Sequence, residues 1–199
     1  ATAWDGVYRS ETGGFSGEQV LGSGSESLNT QDSRTGTSIE TSPNYSLDKS
    51  VILGTWGAGV WRLDANTDKW YQSGACTNCT QLDSLYVTDV ALAPTFRFVA
   101  GGGTPAQGTL FASTSDGLFK SVNYGNSWTL SLRDPDYPNV LKVTLSNSFA
   151  SDETAYAVAD GVGVLRSTDS GETWSPVNTG FVAAGRITHI ALSPTFGTD

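Results

Sequence analysis

The stretch "STDSGETW", residues 167–174, gives the strongest indication of the fold of this chain. A close copy, "SVNYGNSW", stands at 121–128, and two worn copies stand at 63–70 ("LDANTDKW") and 10–17 ("SETGGFSG"). The best copies keep a serine, an acid or amide, a glycine, a hydroxyl residue and a tryptophan. These positions are Ser167, Asp169, Gly171, Thr173 and Trp174 in the first copy, with Asn123, Gly125 and Trp128 in the second. Such recurrence is the sequence signature of a repeat architecture.

Two further markers recur about every fifty residues, the period of a propeller blade. One is the sequence around "SPTF" (193–196), which returns as "APTF", "SNSF" and "SPNY". The other is "GVYRS" (6–10), which returns as "GVWRL", "GLFKS" and "GVLRS". The markers divide a single segment, 1–199, into four approximate repeats: 1–45, 46–96, 97–149 and 150–199.

Each repeat predicts four short strands joined by Gly, Asp, Asn and Pro. The repeat around 88–132 contains "TDVALAP", "TLFAST", "GLFKSV" and "SWTLSL", and we likewise expect a strand at 188–194, "THIALSP". Four strands of this length per repeat describe a blade. The predicted fold is therefore an all-β β-propeller of four-stranded antiparallel blades.

The 167–174 motif, Ser-x-Asp-x-Gly-x-Thr-Trp, resembles the Asp-box or BNR repeat of the sialidase, xyloglucanase and sortilin-like propellers. In those families the box lies on the edge away from the active site, so the resemblance implies scaffolding. Local physics agrees, because an Asp accepts hydrogen bonds from turn amides and a Gly supplies a positive φ. A calcium loop at Asp64, Asn66 and Asp68 is the alternative for the worn copy, but it lacks the Gly and Glu of an EF-hand loop.

The composition limits the partners of the chain. A net charge of −9 repels phosphate backbones, so we expect no nucleic-acid partner. No apolar run reaches the ~20 residues that a membrane-spanning helix needs, and no metal or cofactor motif appears. Low lysine content, no methionine and abundant Gly, Ser and Thr favour an extracellular or cell-surface protein.

Candidate ligand-binding residues gather on one predicted face. In a four-stranded blade, the turns between the second and third strands share a face with the loops that lead to the next blade. This face carries the candidates Trp4, Asp5, Trp56, Asp116 and His189. Aromatic rings beside carboxylates suit a glycan. The alternative for Trp4 and Trp56 is that both fill gaps between blades, and the alternative for His189 is a residue at the end of a strand.

Asp89 is the candidate general acid or base for an enzyme, with Asp5, Asp116 or Asp160 as its partner. Simple solvation at the surface is the competing interpretation for each of these acids. Asp89 aligns with Ser38, Lys142 and His189 at one position near the channel mouth. Three of the seven arginines, Arg9, Arg62 and Arg166, belong to the strand marker, and the sequence shows no arginine cluster of the kind that a sialidase needs.

Cys76 and Cys79 predict a structural disulfide within one loop if the protein is secreted. A redox-active pair would need a helix N-terminus to lower the pKa of a thiol, and the sequence predicts no helix at this loop. A zinc site would need two more ligands than this pair offers.

Two explanations compete for the incomplete outer repeats. Either the chain is a segment of a longer propeller, which we favour, or its open blade edges associate with another chain. For function, we expect a non-catalytic extracellular or cell-surface module with a binding or structural role, for which assembly with other copies is one option. The alternatives are a lectin-like propeller and a fragment of a glycoside hydrolase resembling the xyloglucanases. A lumenal assembly factor is a third, less supported interpretation.

Overall fold

The structure is a computed structural model. It describes residues 2–3, 6–10, 12, 18–21, 35–64, 69–74, 79–99, 105–181 and 186–196.

The described strands form one three-stranded and three four-stranded sheets, all antiparallel and in chain order. Sheet I contains β1 (Thr2–Ala3), β2 (Gly6–Arg9) and β3 (Glu18–Leu21). Sheet II contains β4 (Gly36–Thr41), β5 (Val51–Thr55), β6 (Val60–Asp64) and β7 (Lys69–Gln72). Sheet III contains β8 (Val87–Leu92), β9 (Leu110–Thr114), β10 (Gly117–Ser121) and β11 (Thr129–Leu132). Sheet IV contains β12 (Val140–Leu145), β13 (Ala155–Ala159), β14 (Gly163–Ser167) and β15 (Ser175–Pro176).

Single helical turns follow the inner strands of sheets II, III and IV. They are α1 (Tyr45–Asp48), α2 (Pro105–Gly108) and α3 (Phe149–Asp152). In α1 and α3 an aspartate organises the turn: Asp48 accepts the Ser42 hydroxyl at 2.7 Å, and Asp152 accepts that of Ser146. The "SPNY" and "SNSF" markers are therefore turns that return the chain from the first strand to the second.

The core lies between successive sheets. Val7 and Leu53 pack between sheets I and II, and Trp128 packs with Ile52 and other residues between sheets II and III. Phe111 packs among residues of sheets III and IV. Apolar side chains on both faces of a sheet explain why strands such as β5 and β9 are buried along their whole length. The propeller prediction is confirmed.

The expected strand at 188–194 is wrong. Residues 186–196 contain no strand. A strand forms by backbone hydrogen bonding to a neighbouring strand, and none of the described sheets includes this segment in its ladder. The segment nevertheless contacts sheet IV, since Asn147 Nδ2 donates to Pro194 O at 2.6 Å and Phe196 meets Tyr156 edge to face.

Candidate functional site

The turn at 167–174 is built by hydrogen bonds within itself. Ser167 Oγ accepts the Gly171 N–H at 2.8 Å, and Asp169 Oδ1 accepts the Thr173 N–H at 2.9 Å. The Thr173 hydroxyl also donates to Asp169, and this bond is the main reason why the pKa of Asp169 falls to about 2. Gly171 has a φ of 85°, a left-handed conformation that favours glycine. The carboxylate of Asp169 therefore accepts its hydrogen bonds from groups within the turn itself.

The turn at 121–128 keeps the same geometry with a neutral amide. Asn123 Oδ1 accepts the Ser121 hydroxyl at 3.0 Å and the Ser127 N–H at 2.8 Å. Gly125 N donates to Ser121 Oγ at 2.9 Å. Because Asn123 replaces the aspartate, one acceptor oxygen is enough to form the turn. We call 121–128 and 167–174 the box turns.

Each box turn is hydrogen-bonded to the preceding sheet through one serine. Trp128 Nε1 donates to Ser73 Oγ at 2.9 Å, and the Ser73 hydroxyl donates to the Gly125 carbonyl. Trp174 Nε1 donates to Ser131 Oγ at 3.1 Å, whose hydroxyl donates to the carbonyl of Gly171 at 2.5 Å. We call this arrangement the serine latch. The latch was not predicted from the sequence, although both serines occupy the same place in the repeat.

The calcium alternative lies partly outside the described residues, which exclude Asn66 and Asp68. Among the residues that the structure describes, no group of three His, Cys, Asp or Glu side chains is placed to hold a metal ion.

The face that carries the turns between the second and third strands presents an exposed aromatic pair. Trp56 and Tyr86 are each 49% exposed, and their ring centroids lie 5.3 Å apart with an edge-to-face angle of 67°. Leu85, 43% exposed, adjoins them, and its carbonyl accepts the Gly57 and Gly59 N–H groups. Trp56 therefore contacts Tyr86 across two sheets, whereas Trp4 and Asp5 lie outside the described residues.

The other candidate residues on this face either form an ion pair with an arginine or contact a neighbouring residue of the chain. Asp116 pairs with Arg133 at 2.7 Å, and Asp160 forms a two-bond pair with Arg186. The exposed His189 contacts the Thr188 hydroxyl at 3.0 Å. Both of these acids are therefore paired with an arginine, whereas Asp89 is paired with Lys142.

A small cleft opens on the same side between sheets III and IV. Its volume is about 230 Å³, and its lining includes Tyr137, Trp174 and apolar core residues such as Val140. The Tyr137 ring lies against Gly161, where a Cβ would meet it at 2.3 Å. The cleft therefore combines apolar core side chains and an aromatic rim with the charged Arg133 and Asp134.

Asp89 is buried, not solvated at the surface as one interpretation of the sequence had it. It is 3% exposed, and donors from both neighbouring sheets reach it. Ser38 Oγ donates at 3.0 Å, Lys142 Nζ at 2.8 Å and Val143 N at 3.2 Å. The alignment of Ser38, Asp89 and Lys142 thus predicts a real cluster, which joins the inner strands of three sheets.

Glu40 is a member of this neighbourhood that the sequence analysis missed. Burial raises its pKa most, repulsion from Asp89 raises it further, and attraction to Lys142 opposes them. Glu40 lies on the same strand as Ser38, β4. Its signal in the sequence was weak, because an acid on a short strand reads as solvent-exposed.

Cys79 is disulfide-bonded, and the chain has one other cysteine, Cys76, which lies outside the described residues. The state of Cys79 agrees with the structural-disulfide interpretation and disagrees with a zinc site.

The fold is shared with solved propellers, although no family model and no curated protein matches the chain. The chain is similar to the GH74 enzyme of Niastella koreensis, with a TM-score of 0.63 and 18% identity, over 87% of this chain and 27% of that one. It is similar to an ancestral GH74 enzyme, with a TM-score of 0.52 and 19% identity, over 71% of this chain and 18% of that one. It is also similar to YCF48 from Cyanidioschyzon merolae, with a TM-score of 0.51 and 16% identity, over 87% of this chain and 53% of that one.

At these identities the likeness concerns the β-propeller fold alone. The chain spans only 18% to 53% of the length of these three proteins. Within its described part, no helix has the length and apolar character needed to cross a membrane.

Proposed function

We propose that this chain is a non-catalytic extracellular propeller module that binds a ligand on the face carrying Trp56. The observation that supports this proposal most is the environment of Asp89. A general acid or base must reach a substrate proton. The carboxylate of Asp89 is instead buried against three donors from the flanking sheets.

Two other acids on this face, Asp116 and Asp160, are engaged in ion pairs. A glycosidase uses two carboxyl groups on either side of the scissile bond. Asp116 and Asp160 each form an ion pair with an arginine, which engages the carboxylate that would have to contact a substrate. The arrangement suits binding better than hydrolysis.

The ligand class that we propose is a neutral glycan. Trp56 and Tyr86 present two rings at a steep angle, which gives a corner with one flat aromatic wall on each side. Rings of this kind bind sugars by burying apolar C–H faces, while polar neighbours bind hydroxyl groups. The chain's net charge of −9 disfavours an anionic ligand. The extracellular assignment is supported by the disulfide at Cys79, since such bonds persist in oxidising compartments.

The test separates binding from turnover on the same samples. Xyloglucan and other neutral polysaccharides are offered to the wild type, to Trp56→Ala and to Asp89→Asn, with affinity electrophoresis for binding and reducing-end release for hydrolysis. We expect retardation of the wild type that Trp56→Ala abolishes, and no release by any protein. Tyr71→Ala is the matched control, because Tyr71 is 45% exposed but lies on the outer strand β7.

Hydrolysis by the wild type that Asp89→Asn removes would contradict the proposal and favour a glycoside hydrolase, as the GH74 likeness of the fold would allow. If Trp56→Ala leaves the retardation unchanged, the aromatic pair is not part of the binding site.

A further inference from the structure

A second cleft lies between sheets III and IV, on the side of the molecule that carries the box turns. Its volume is about 240 Å³. Apolar and polar side chains line it together: Phe149, Val122 and Ala150, with Lys120, Glu153 and Ser170. The box turns join the third and fourth strands of a sheet, so this side is opposite the face that carries Trp56. We call this recess the box-side cleft.

Aromatic side chains fill the same place between sheets II and III. Tyr124 belongs to the box turn of sheet III, and its ring meets the Phe96 ring edge to face with centroids 6.0 Å apart. The Phe98 ring packs on Tyr124 in the same way at 5.3 Å. The Arg62 guanidinium of sheet II lies 3.8 Å from the Phe98 ring centroid. Three rings and a guanidinium therefore occupy the space between these two sheets.

Ser170 is the equivalent of Tyr124 in sheet IV. Each residue precedes the glycine of its box turn, and both have a left-handed backbone, with a φ of 64° for Tyr124 and 59° for Ser170. Tyr124 N donates to Gly108 O and Ser170 N donates to Glu153 O, each at 3.0 Å. The backbone is therefore the same at the two positions, and only the side chain differs.

The second ring is also replaced by a serine. Phe149 corresponds to Phe96 in the "SNSF" and "APTF" markers, so the exposed Ser151 corresponds to Phe98. The box-side cleft is thus the space that aromatic side chains occupy between sheets II and III. An apolar cavity of about 150 Å³ is enough to hold a benzene ring. The box-side cleft, at about 240 Å³, has room for one aromatic side chain.

The charges at this cleft favour a cation beside such a ring. Lys120 lies at the repeat position of Arg62 and pairs with Glu172 at 3.0 Å. Glu172 is 72% exposed, so its carboxylate stays accessible to a second cation. Glu153 forms no ion pair among the described residues. Two carboxylates therefore accompany one ammonium group, and the net charge of −9 for the chain has the same sign.

The internal copy of the site indicates which ring fits. The Tyr124 hydroxyl is buried and has no hydrogen-bond partner among the described residues. A buried hydroxyl without a partner is unfavourable, so the hydrocarbon ring is the part of Tyr124 that suits this place. Phenylalanine is therefore the side chain that the box-side cleft should accept best.

We propose that the box-side cleft binds a phenylalanine side chain from a basic segment of another protein. The ring packs against Phe149 as Tyr124 packs against Phe96. Lysine or arginine residues that flank the phenylalanine pair with Glu153 and Glu172. This inference concerns the side of the molecule opposite Trp56 and is independent of glycan binding.

The first experiment titrates the full chain with short peptides and follows its backbone amides by NMR. The probe is acetyl-Gly-Lys-Phe-Lys-Gly-amide, and the same peptide with alanine in place of phenylalanine is its control. We expect the amide resonances of Ser170 and Glu153 to shift with the phenylalanine peptide and to remain unchanged with the alanine peptide. Equal shifts with both peptides, or shifts confined to other residues, would overturn the proposal.

The second experiment fills the cleft. Ser170→Tyr gives sheet IV the side chain that sheet III has at Tyr124, on a backbone that already accepts tyrosine there. This variant should no longer bind the phenylalanine peptide, and its urea midpoint of unfolding should rise because the added ring fills the space. Ser175→Tyr is the matched control, since Ser175 is an exposed residue of β15 outside the cleft; it should bind the peptide as the wild type does. Unchanged binding by Ser170→Tyr would contradict the proposed site.

The third experiment tests the charge and the source of the ring. Glu153→Gln should weaken binding of the lysine-flanked peptide by about two- to fivefold, the usual effect of one exposed ion pair. A glutamate-flanked peptide that binds as tightly as the lysine-flanked one would exclude a basic partner. Benzylamine that binds as tightly as the peptide would assign the cleft to a small aromatic molecule instead. The glycan assay depends on Trp56 and responds to none of these changes, so either proposal can fail alone.

Discussion

In each box turn, the side chain of one residue replaces water as the hydrogen-bond acceptor for backbone N–H groups. Asp169 accepts the N–H groups of Glu172 and Thr173 at 3.1 and 2.9 Å, and Asn123 performs the same task without a charge. The carboxylate adds an acceptor for the Thr173 hydroxyl. The charge therefore contributes to stability only while Asp169 is ionised.

This gives a pH-dependent prediction for Asp169→Asn. The pKa of Asp169 in the folded chain is about 2, below the ordinary value of 3.8, so its stabilising effect is complete above about pH 4 and is lost as the pH falls toward 2. We expect the variant to be less stable than the wild type at neutral pH and the difference to vanish near pH 2. Urea unfolding at several pH values measures it; a difference that is independent of pH would contradict the assigned hydrogen bonds.

Whole strands are held by contacts to the next sheet as much as by their own ladder. The outer strands β7 and β11 each lead into or contain the serine of a latch, Ser73 or Ser131, and each latch hydroxyl both accepts from an indole and donates to a carbonyl. Loss of such a hydroxyl leaves two partly buried groups without a partner, which costs about 1–3 kcal/mol.

Ser131→Ala should therefore lower the free energy of unfolding by about 1–3 kcal/mol, as should Ser73→Ala. Ser175→Ala is the matched control, because Ser175 is an exposed strand residue outside the latch; its effect should stay within about 0.5 kcal/mol. Urea denaturation measured by tryptophan fluorescence gives the values. Equal effects for Ser131→Ala and Ser175→Ala would mean that the latch contributes nothing.

On the scale of the whole molecule, the inner strands of three sheets meet at Asp89. Ser38 comes from sheet II and Lys142 from sheet IV, so one buried carboxylate holds both neighbours of sheet III in register. The position of Glu40 beside this cluster is unfavourable for its ionised form, because Glu40 is partly buried and lies near a second acid, Asp89.

The pKa of Glu40 is raised above 4.5 in the folded chain, so its ionised form opposes folding at neutral pH and this opposition disappears as the pH falls below that value. Glu40→Gln should consequently stabilise the chain at pH 7, with the gain disappearing below about pH 4.5. Thermal melts across this range measure it. A variant that is less stable than the wild type at pH 7 would show that the ionised Glu40 has a favourable partner.

The repeat, the four-stranded blade and the residues of the box turns follow from the sequence alone, because each depends on neighbours within a few residues along the chain. The sequence also placed Ser38, Asp89 and Lys142 at one repeat position, since periodicity carries equivalent residues to equivalent places. The burial and pairing of Asp89, the proximity of Glu40 to it and the contact of Tyr86 with Trp56 emerged only in three dimensions. These facts depend on contacts between sheets some fifty residues apart, where side-chain length and burial are not encoded in any local pattern. The same reason explains why 188–194, a strand by its sequence, is not one here: a strand requires a neighbour, and the neighbour is a property of the assembled fold.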